Sequence, residues 1–264
     1  MERAGIAALA DLLLPRTCAG CGVPGAVLCR SCAGALARPH LAAPRRFPWG
    51  FPPTVAAGAY AGPVRPAVVE FKERGRAELA VPLGAALALA VAAVTAAVPG
   101  PVRPVVLVPV PSTRAGLRAR GRDHVRELTA RAVVELRAAG LPAAEARLLR
   151  RRGRARDSAG LSAAQRRANL AGTFERLRGD VAPGAVLVLV DDVVTSGATL
   201  TEAAAALSSG GSARGAPVLA AVVAATPATG REHSSRADLH VVRNRPENVR
   251  RSPHDRLSGQ VNRD

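Results

Sequence analysis

Residues 186–199 read VLVLVDDVVTSGAT, and this stretch decides the predicted fold. Its first five residues are all apolar, which is typical of a strand buried on both faces of a parallel sheet. Asp191 and Asp192 follow, and the small residues TSGAT then lead into a helix pattern that runs through Leu207. A strand, a loop of small residues and a helix in this order predict an anion-binding loop, because a helix N-terminus presents free N–H groups.

The loop and the two acids suit different parts of one ligand. The residues that we expect to bind phosphate are Thr195, Ser196, Gly197, Ala198 and Thr199. The glycine lets the backbone approach an anion, and the hydroxyls donate hydrogen bonds. Asp191 and Asp192 repel phosphate, so their chemistry suits ribose hydroxyls or a Mg²⁺ ion on a neighbouring diphosphate. Together these features predict a binder of a ribose 5-phosphate.

The surrounding sequence alternates strand and helix patterns. Apolar strands are expected at 105–110, 186–190 and 218–224, with a helix at 120–139. Such alternation predicts a parallel sheet with helices on both faces. Ligands bind such sheets at the carboxyl ends of the strands, which here means the polar segments after Val110 and Val190.

Two apolar stretches raise the question of a membrane. Residues 79–102 carry no charge over 24 positions, but the larger side chains share one helical face: Leu83, Leu87, Val91, Val94 and Val98. We interpret this stretch as a buried amphipathic helix and expect no membrane insertion. Asp11 interrupts the N-terminal run Ile6–Leu14, so that run does not read as a signal peptide. A cytoplasmic location is therefore expected.

All the cysteines of the chain belong to one pattern, C-x2-C-x7-C-x2-C: Cys18, Cys21, Cys29 and Cys32. Two such pairs predict a closed tetrahedral Zn²⁺ site, because thiolates two residues apart can point at one ion. Two disulfides in a secreted protein are the alternative, which the absence of a signal-peptide pattern disfavours. A four-Cys site has no open coordination position, so the predicted role of the zinc is structural.

The chain is strongly basic, with a net charge of +17. Residues 103–178 hold 18 Arg against 6 acidic residues, so much of the excess lies in the body of the chain. Such a field attracts polyanions, either a phosphorylated metabolite or nucleic acid. The alternative is an ordinary solvent-exposed surface on which Arg is used for nearly every positive charge. With only 2% aromatics the chain lacks the stacking residues common in single-strand binders.

Several motifs together resemble the ComF family of type I phosphoribosyltransferase-like proteins. Besides the cysteine pattern and the acid pair, they are FKERGR at 71–76, LVPVPSTRAGLRARGRDHV at 107–125 and GLSAAQRRANLAGTF at 160–174. The resemblance implies the α/β type I phosphoribosyltransferase fold at 54–230. An N-terminal helix, four-Cys zinc module and Pro-rich connector would precede it at 1–53. Residues 231–264 lie outside the resemblance, and their polar composition with little periodicity predicts a disordered tail.

The same resemblance implies a function. Family members of this type bind phosphoribosyl pyrophosphate (PRPP) with Mg²⁺, and ComF proteins are linked to DNA uptake during competence. We therefore expect phosphoribosyl transfer to an unidentified acceptor, with Asp191, Asp192 and Arg114 as catalytic residues. The alternative is a non-catalytic PRPP sensor, or an adaptor for single-stranded DNA or a DNA-uptake helicase. Monomer and homo-oligomer both stay open.

Further binding residues follow from the aligned motifs. The loop containing Ser112, Thr113 and Arg114 corresponds to the pyrophosphate-binding loop of these enzymes. The segment Arg147–Arg156 corresponds to their mobile loop. Lys72 is the only lysine among 37 basic residues, which indicates that a compact ammonium is needed there; a single codon that escaped the Arg bias is the alternative.

The chain also departs from the family pattern. ComF sequences commonly read GFNQ where residues 121–124 read GRDH. We interpret His124 as an exposed polar residue at a helix start rather than a ligand contact. Thr195 stands where purine-salvage relatives carry an acid that serves as a base, and a threonine cannot do so at neutral pH. This difference argues against ordinary purine salvage.

Overall fold

The structure is a computed structural model that describes residues 16–44, 49–152, 172–179, 181–209 and 218–227. The predicted N-terminal helix and the predicted tail lie outside the described residues. The strands of the described part are β1 (His40–Leu41), β2 (Thr54–Ala59), β3 (Val105–Pro109), β4 (Ala143–Glu145), β5 (Leu149–Arg151), β6 (Phe174–Arg176), β7 (Val186–Val194) and β8 (Val218–Ala225). Its helices are α1 (Arg30–Gly34), α2 (Val64–Lys72), α3 (Ala80–Ala96), α4 (Arg114–Arg120), α5 (His124–Ala138) and α6 (Ala198–Ser208), with a 3₁₀ turn at Ala77–Leu79.

Six of these strands form one sheet in the order β1-β2-β8-β7-β3-β4, and β5 pairs with β6 separately. Neighbours in the sheet are parallel except β1 and β2. These two strands follow each other in the chain without a crossover helix, so they pair antiparallel. The predicted α/β architecture with a mostly parallel sheet is confirmed, with this antiparallel edge as the difference.

Both faces of the sheet are covered, as the apolar strands predict. In β7, Val186, Val188 and Val190 enter one core cluster, and Leu187 and Leu189 enter the other. Helices α2, α3 and α5 contribute to the first cluster, and α6 with the β5–β6 pair contributes to the second. Because consecutive strand residues point to opposite faces, a run of apolar residues is needed where both faces are packed.

Helix α3 packs against the sheet as the uncharged stretch predicts. Its larger residues Leu83, Leu87 and Val91 are fully buried. By length and composition the 20 residues Ala77–Ala96 pass the test for a membrane span, but half of that stretch is buried inside the protein. Its outer face is not polar, since Val81 and Leu89 are each 47% exposed. The prediction of an amphipathic helix was therefore wrong in this respect: the helix is apolar on both faces.

The helix predicted at 120–139 is present as α5 but begins later, at His124, and Arg120 is instead the last residue of α4. Gly121 has a φ of 66° and ends α4. The carboxylate of Asp123 accepts the backbone N–H of Arg126 (3.4 Å) and begins α5. A left-handed glycine followed by an aspartate N-cap is the ordinary stop and start signal for helices, and it outweighs the continuous helix periodicity here.

The cysteine segment lies directly on the β2 side of the sheet. A Cβ at Gly58 of β2 would lie only 2.5 Å from the carbonyl oxygen of Ala35, so the chain after α1 touches the strand backbone. The N–H of Arg38 donates to the carbonyl of Ala57 (3.1 Å). Leu36 is 2% exposed and belongs to the same core cluster as α2 and α3. The cysteine segment and the sheet therefore share a hydrophobic core.

Candidate functional site

The carboxyl ends of β3 and β7 form one edge of the sheet. The strands are parallel, with Pro109 beside Val190, and the N–H of Val110 donates to the carbonyl of Val190 (2.9 Å). Strand β3 ends there, but β7 continues beside β8 to Val194, so Asp191 and Asp192 lie within the strand and not after it as the sequence predicted. The two acids still lie at the carboxyl-end edge of the sheet, where open α/β sheets bind ligands. We name residues 112–114 and 191–199 the acid edge.

Residues 195–199 turn from β7 into α6. Thr195 and Ser196 are exposed, and Gly197 is the N-cap of α6 with a φ of 75°. A Cβ at Gly197 would lie 2.7 Å from the ring of Phe51, so this position needs glycine for its conformation and for its contact. The other predicted loop residues lie in the first turn of the helix: Ala198 and Thr199. The free N–H groups of that turn lie beside exposed hydroxyls, an arrangement suited to an anion.

Asp192 is buried beside the ammonium of Lys72 and the imidazole of His124. Its Oδ2 lies 2.8 Å from Nζ of Lys72 and 3.1 Å from Nε2 of His124. Burial alone would raise the pKa of Asp192, but the hydrogen bond from His124 and the charge of Lys72 outweigh it and hold that pKa well below its usual value. The Oδ1 atom accepts the N–H of Val193 (2.7 Å). Asp192 is thus a fixed, ionised carboxylate.

Asp191 has the opposite electrostatics. Strand geometry turns neighbouring side chains to opposite faces, and Asp191 interacts electrostatically with Arg151 of β5. Burial and the charge of Asp192 raise the pKa of Asp191 to about 8. Its Oδ1 accepts the N–H of Asp192 (2.8 Å). The pair therefore combines one carboxylate held ionised with one carboxyl that keeps its proton near neutral pH.

His124 is not exposed, so its interpretation from sequence was wrong. It is 3% exposed, and its ring meets that of Phe71 edge-on at 6.4 Å. Helix α5 packs over the sheet, which brings its first residue onto Asp192 rather than into solvent. Arg122 pairs with Glu127 and donates to the carbonyl of Phe71 (3.1 Å). The segment GRDH therefore supports the acid pair from one side.

The predicted pyrophosphate loop follows β3 on the acid edge. Ser112 Oγ donates to Oδ1 of Asp123 (3.4 Å), and Thr113 Oγ1 accepts the N–H of Gly116 (3.0 Å) as the N-cap of α4. Both hydroxyls thus organise the loop. Arg114 is exposed at the first residue of α4, where its guanidinium is available to an anion.

The segment predicted to correspond to a mobile loop is described only in part. Residues 147–152 include β5, which pairs antiparallel with β6, and residues 153–156 lie outside the described residues. The Arg151 guanidinium lies 5.0 Å from the centroid of the Phe174 ring. Sequence patterns did not single out Arg151 or Phe51 as neighbours of the acid edge, since both are placed there by tertiary packing.

The four cysteines converge on one point. Their sulfur atoms all lie within 4.8 Å of one another, and none of the four is in a disulfide. The sulfurs of Cys21 and Cys29 are 3.7 Å apart, close to the edge of about 3.8 Å of a tetrahedron with Zn–S bonds of about 2.3 Å. A four-cysteine group that could hold a metal ion such as zinc is therefore confirmed, and the disulfide alternative is not what the structure contains.

The electrostatics of this cluster fit a cation. Cys18 Sγ accepts the backbone N–H groups of Gly20 (3.4 Å) and Cys29 (3.3 Å). Burial alone would raise the pKa of Cys18, but these N–H groups outweigh it and lower the pKa to about 6. Burial and the neighbouring sulfurs raise the pKa of Cys32. Four sulfurs this close cannot all be thiolates without a positive ion among them.

The fold and these two sites define a mixed α/β protein with a mostly parallel sheet, a four-cysteine group that could hold a metal, and an edge that combines two acids with a glycine turn. A shallow depression on α2, lined by Arg65, Val69 and Arg74, includes none of the predicted site residues. The chain matches no model of a known protein family, and a search of the curated proteins finds no similar sequence. Its function has to be inferred from the geometry of the residues themselves.

Proposed function

We propose that this protein binds PRPP at the acid edge and transfers its phosphoribosyl group to an acceptor. The observation that carries the proposal is the order of groups along β7 and α6. A carboxyl with a raised pKa and an ionised carboxylate lie near the end of β7, and residues 193–196 connect them to a glycine turn at a helix N-terminus. One end of this arrangement suits ribose hydroxyls and the other suits a 5-phosphate.

Each predicted residue has a role in this proposal. The loop 195–199 binds the 5-phosphate. Asp191 binds the ribose hydroxyls, and the charge of Asp192, whose oxygens already have partners, stabilises positive charge at C1′ as the bond to pyrophosphate breaks. Ser112, Thr113 and Arg114 face the leaving pyrophosphate across the same edge, with Lys72 adding an ammonium. Catalysis then comes from positioning and electrostatics, and the bond broken at C1′ is replaced by one to the acceptor.

In this proposal Mg²⁺ binds together with PRPP. Both oxygens of Asp192 already have partners within the chain, so Asp192 does not itself offer an open metal site. A Mg²⁺ ion would instead be held by the pyrophosphate of PRPP. When bound there, the ion neutralises charge on the leaving group. The chain's own task is to orient that complex through the loop residues and Arg114.

The type I phosphoribosyltransferase fold and the ComF resemblance belong to the same proposal. The four-cysteine group, the mostly parallel sheet and the acid edge support it. A cytoplasmic protein linked to DNA uptake is the corresponding cellular role. Thr195 is exposed and carries no acid, so the acceptor is a compound other than an ordinary purine base.

A non-catalytic role is the alternative, and one observation favours it. Asp192 is fully engaged by Lys72, His124 and its own backbone, and Thr195 supplies no base. A PRPP sensor, or an adaptor for single-stranded DNA or a DNA-uptake helicase, needs the ligand site without turnover. Acceptor-dependent release of pyrophosphate separates the two functions.

Calorimetric titration of the metal-loaded protein with PRPP and Mg²⁺ tests the proposal. We expect saturable binding, weakened about tenfold to a hundredfold by Asp191→Ala, which removes a hydrogen-bonding partner of the ribose, or by Asp192→Ala, which removes the buried charge beside it. Glu135→Ala is the matched control, since it removes an acid from an i,i+4 pair with Arg131 on α5. Absence of binding by the native protein would reject the proposal.

A further inference from the structure

Helix α2 links the cysteine cluster to the acid edge. At its start, a Cβ on Gly20 would lie 2.8 Å from the sulfur of Cys32 and 3.0 Å from the carbonyl oxygen of Pro63, the N-cap of α2. At its end, Lys72 reaches Oδ2 of Asp192 (2.8 Å). One helix of nine residues therefore touches the metal-binding segment at one end and the buried carboxylate at the other.

Arg76 ties the other end of this helix back to the cysteine segment. Its Nη2 donates to the carbonyl oxygen of Thr17 (2.9 Å), the residue before Cys18. Its backbone N–H donates to the carbonyl of Glu70 within α2 (3.1 Å). A hydrogen bond between residues 59 positions apart in the chain restrains the turn that follows Lys72. The Arg76 side chain is 21% exposed, so this contact is partly shielded from water.

The core beneath α2 is shared by both sites. Ala19 of the cysteine segment and Phe71 of α2 are buried in the same cluster. Phe71 also holds the acid edge: its ring is covered by the guanidinium of Arg122 at 4.4 Å and met by the His124 ring. Lys72 and His124 are the two side-chain partners of Asp192. A shift of α2 would therefore move the first and disturb the second.

We propose that the four-cysteine metal centre positions Lys72 on Asp192 through α2 and Arg76, so that metal loss loosens the acid edge. Arg76 is a positioning residue in this arrangement and touches no ligand. The effect on ligand affinity rests on the proposed function. The coupling itself concerns only groups of this chain and is measurable without any ligand.

Lys72 offers a direct readout, because it is the only lysine in the chain. Burial alone would lower the pKa of Lys72, but the charge of Asp192 outweighs it and raises that pKa, which slows acylation of the amine. The rate of trace acetylation by N-hydroxysuccinimidyl acetate, followed by mass spectrometry of the peptide containing Lys72, reports on the ion pair. An added reference peptide corrects for reagent loss.

We expect Arg76→Ala in zinc-loaded protein to acetylate Lys72 about threefold to tenfold faster than the native protein, the change that up to one pKa unit produces. Two matched variants should label at the native rate. Arg74→Ala removes an Arg that pairs with Glu70 in the same motif. Glu78→Ala removes the other partner of Arg76 but keeps its bond to Thr17. Metal-depleted protein should label at least as fast as Arg76→Ala.

An Arg76→Ala protein that retains its zinc and its circular dichroism spectrum, and that labels at the native rate, overturns the proposal. Equal acceleration in Arg74→Ala overturns it too, since the effect would then not pass through the cysteine segment. Titration with PRPP is the separate arm: Arg76→Ala should bind more weakly and Arg74→Ala should not. If the native protein binds no PRPP, the proposed function fails while the labelling result still decides the coupling.

Discussion

The cysteine cluster and the acid edge both crowd groups of like charge, but they balance that charge differently. Four cysteine sulfurs lie within 4.8 Å of one another, and the hydrogen bonds of these sulfurs are with one another and with backbone N–H groups. Asp192, next to Asp191, is instead met by Lys72 and His124 of the same chain. The cysteine cluster needs a cation from solution, whereas at the acid edge the cation is a side chain of the protein.

This difference has consequences for the two sites. A site that depends on an external ion loses its main stabilisation when the ion leaves, as structural zinc sites do. A site with internal counter-charges stays formed without ligand, and one of its acids can remain neutral because the other is ionised. The comparison predicts that metal removal lowers the free energy of unfolding strongly, and that substitutions at the acid edge lower it by smaller amounts that differ from residue to residue.

Removal of the metal should have the largest effect. We expect purified protein to contain one zinc per chain, and Cys32→Ser to cost more than about 3 kcal/mol of unfolding free energy, because a closed four-Cys site contributes directly to folding. Urea unfolding with metal analysis measures both quantities. Ser31→Ala, on α1 between Cys29 and Cys32, is the control and should change little. A protein isolated without metal, and stable to chelation, would contradict the comparison.

Loss of an internal counter-charge should have an intermediate effect. His124→Ala leaves the buried Asp192 short of one hydrogen bond and should cost about 2–3 kcal/mol. Lys72→Met should cost less, since the Lys72 side chain is 31% exposed and water can replace its ammonium. His124→Gln, the residue of the GFNQ pattern, keeps a donor near the position of Nε2 and should recover most of the loss. Urea unfolding measures the order of these three losses of stability. If His124→Ala and His124→Gln lose the same unfolding free energy, the hydrogen bond from His124 to Asp192 has no stabilising role.

Local patterns in the sequence were sufficient for much of the fold. The apolar run 186–190 predicts a central strand because both faces of β7 are packed, and the spacing from Leu83 to Val94 predicts the buried side of α3. The split between α4 and α5 was missed although Gly121 and Asp123 signal it. The four-cysteine cluster followed from its spacing alone, since two tight pairs can converge only in a few ways.

The internal counter-charges of the acid edge could not be read from local patterns. His124 and Asp192 are 68 residues apart in the chain, and their contact depends on which face of the sheet α5 covers. Lys72 was identified by its chemistry, as a single lysine among arginines, but its partner depends on the packing of α2. Periodicity gives the buried side of each element and leaves the pairing of elements undetermined.

The smallest expected effect is a pH dependence of the unfolding free energy, and it tests the difference between the two sites most directly. The pKa of Asp191 is raised to about 8 by burial and by Asp192, so between pH 4 and 8 the folded protein holds a proton that the unfolded chain has released. The contribution of this group to the free energy of unfolding therefore falls as pH rises through that window.

Asp191 is half-buried, with Asp192, Lys72 and Arg151 as its charged neighbours. We therefore expect a fall of about 1–2 kcal/mol, less than a fully buried carboxyl would give. Asp191→Asn keeps the neutral shape and should remove this fall, while Asp192→Asn should only reduce it, because the burial of Asp191 remains when the charge of Asp192 is gone. The difference between native and Asp191→Asn unfolding free energies, measured from pH 5 to 8.5, isolates the group. A flat difference would mean that both acids are ionised at neutral pH and that the acid edge, like the cysteine cluster, relies on a cation from outside.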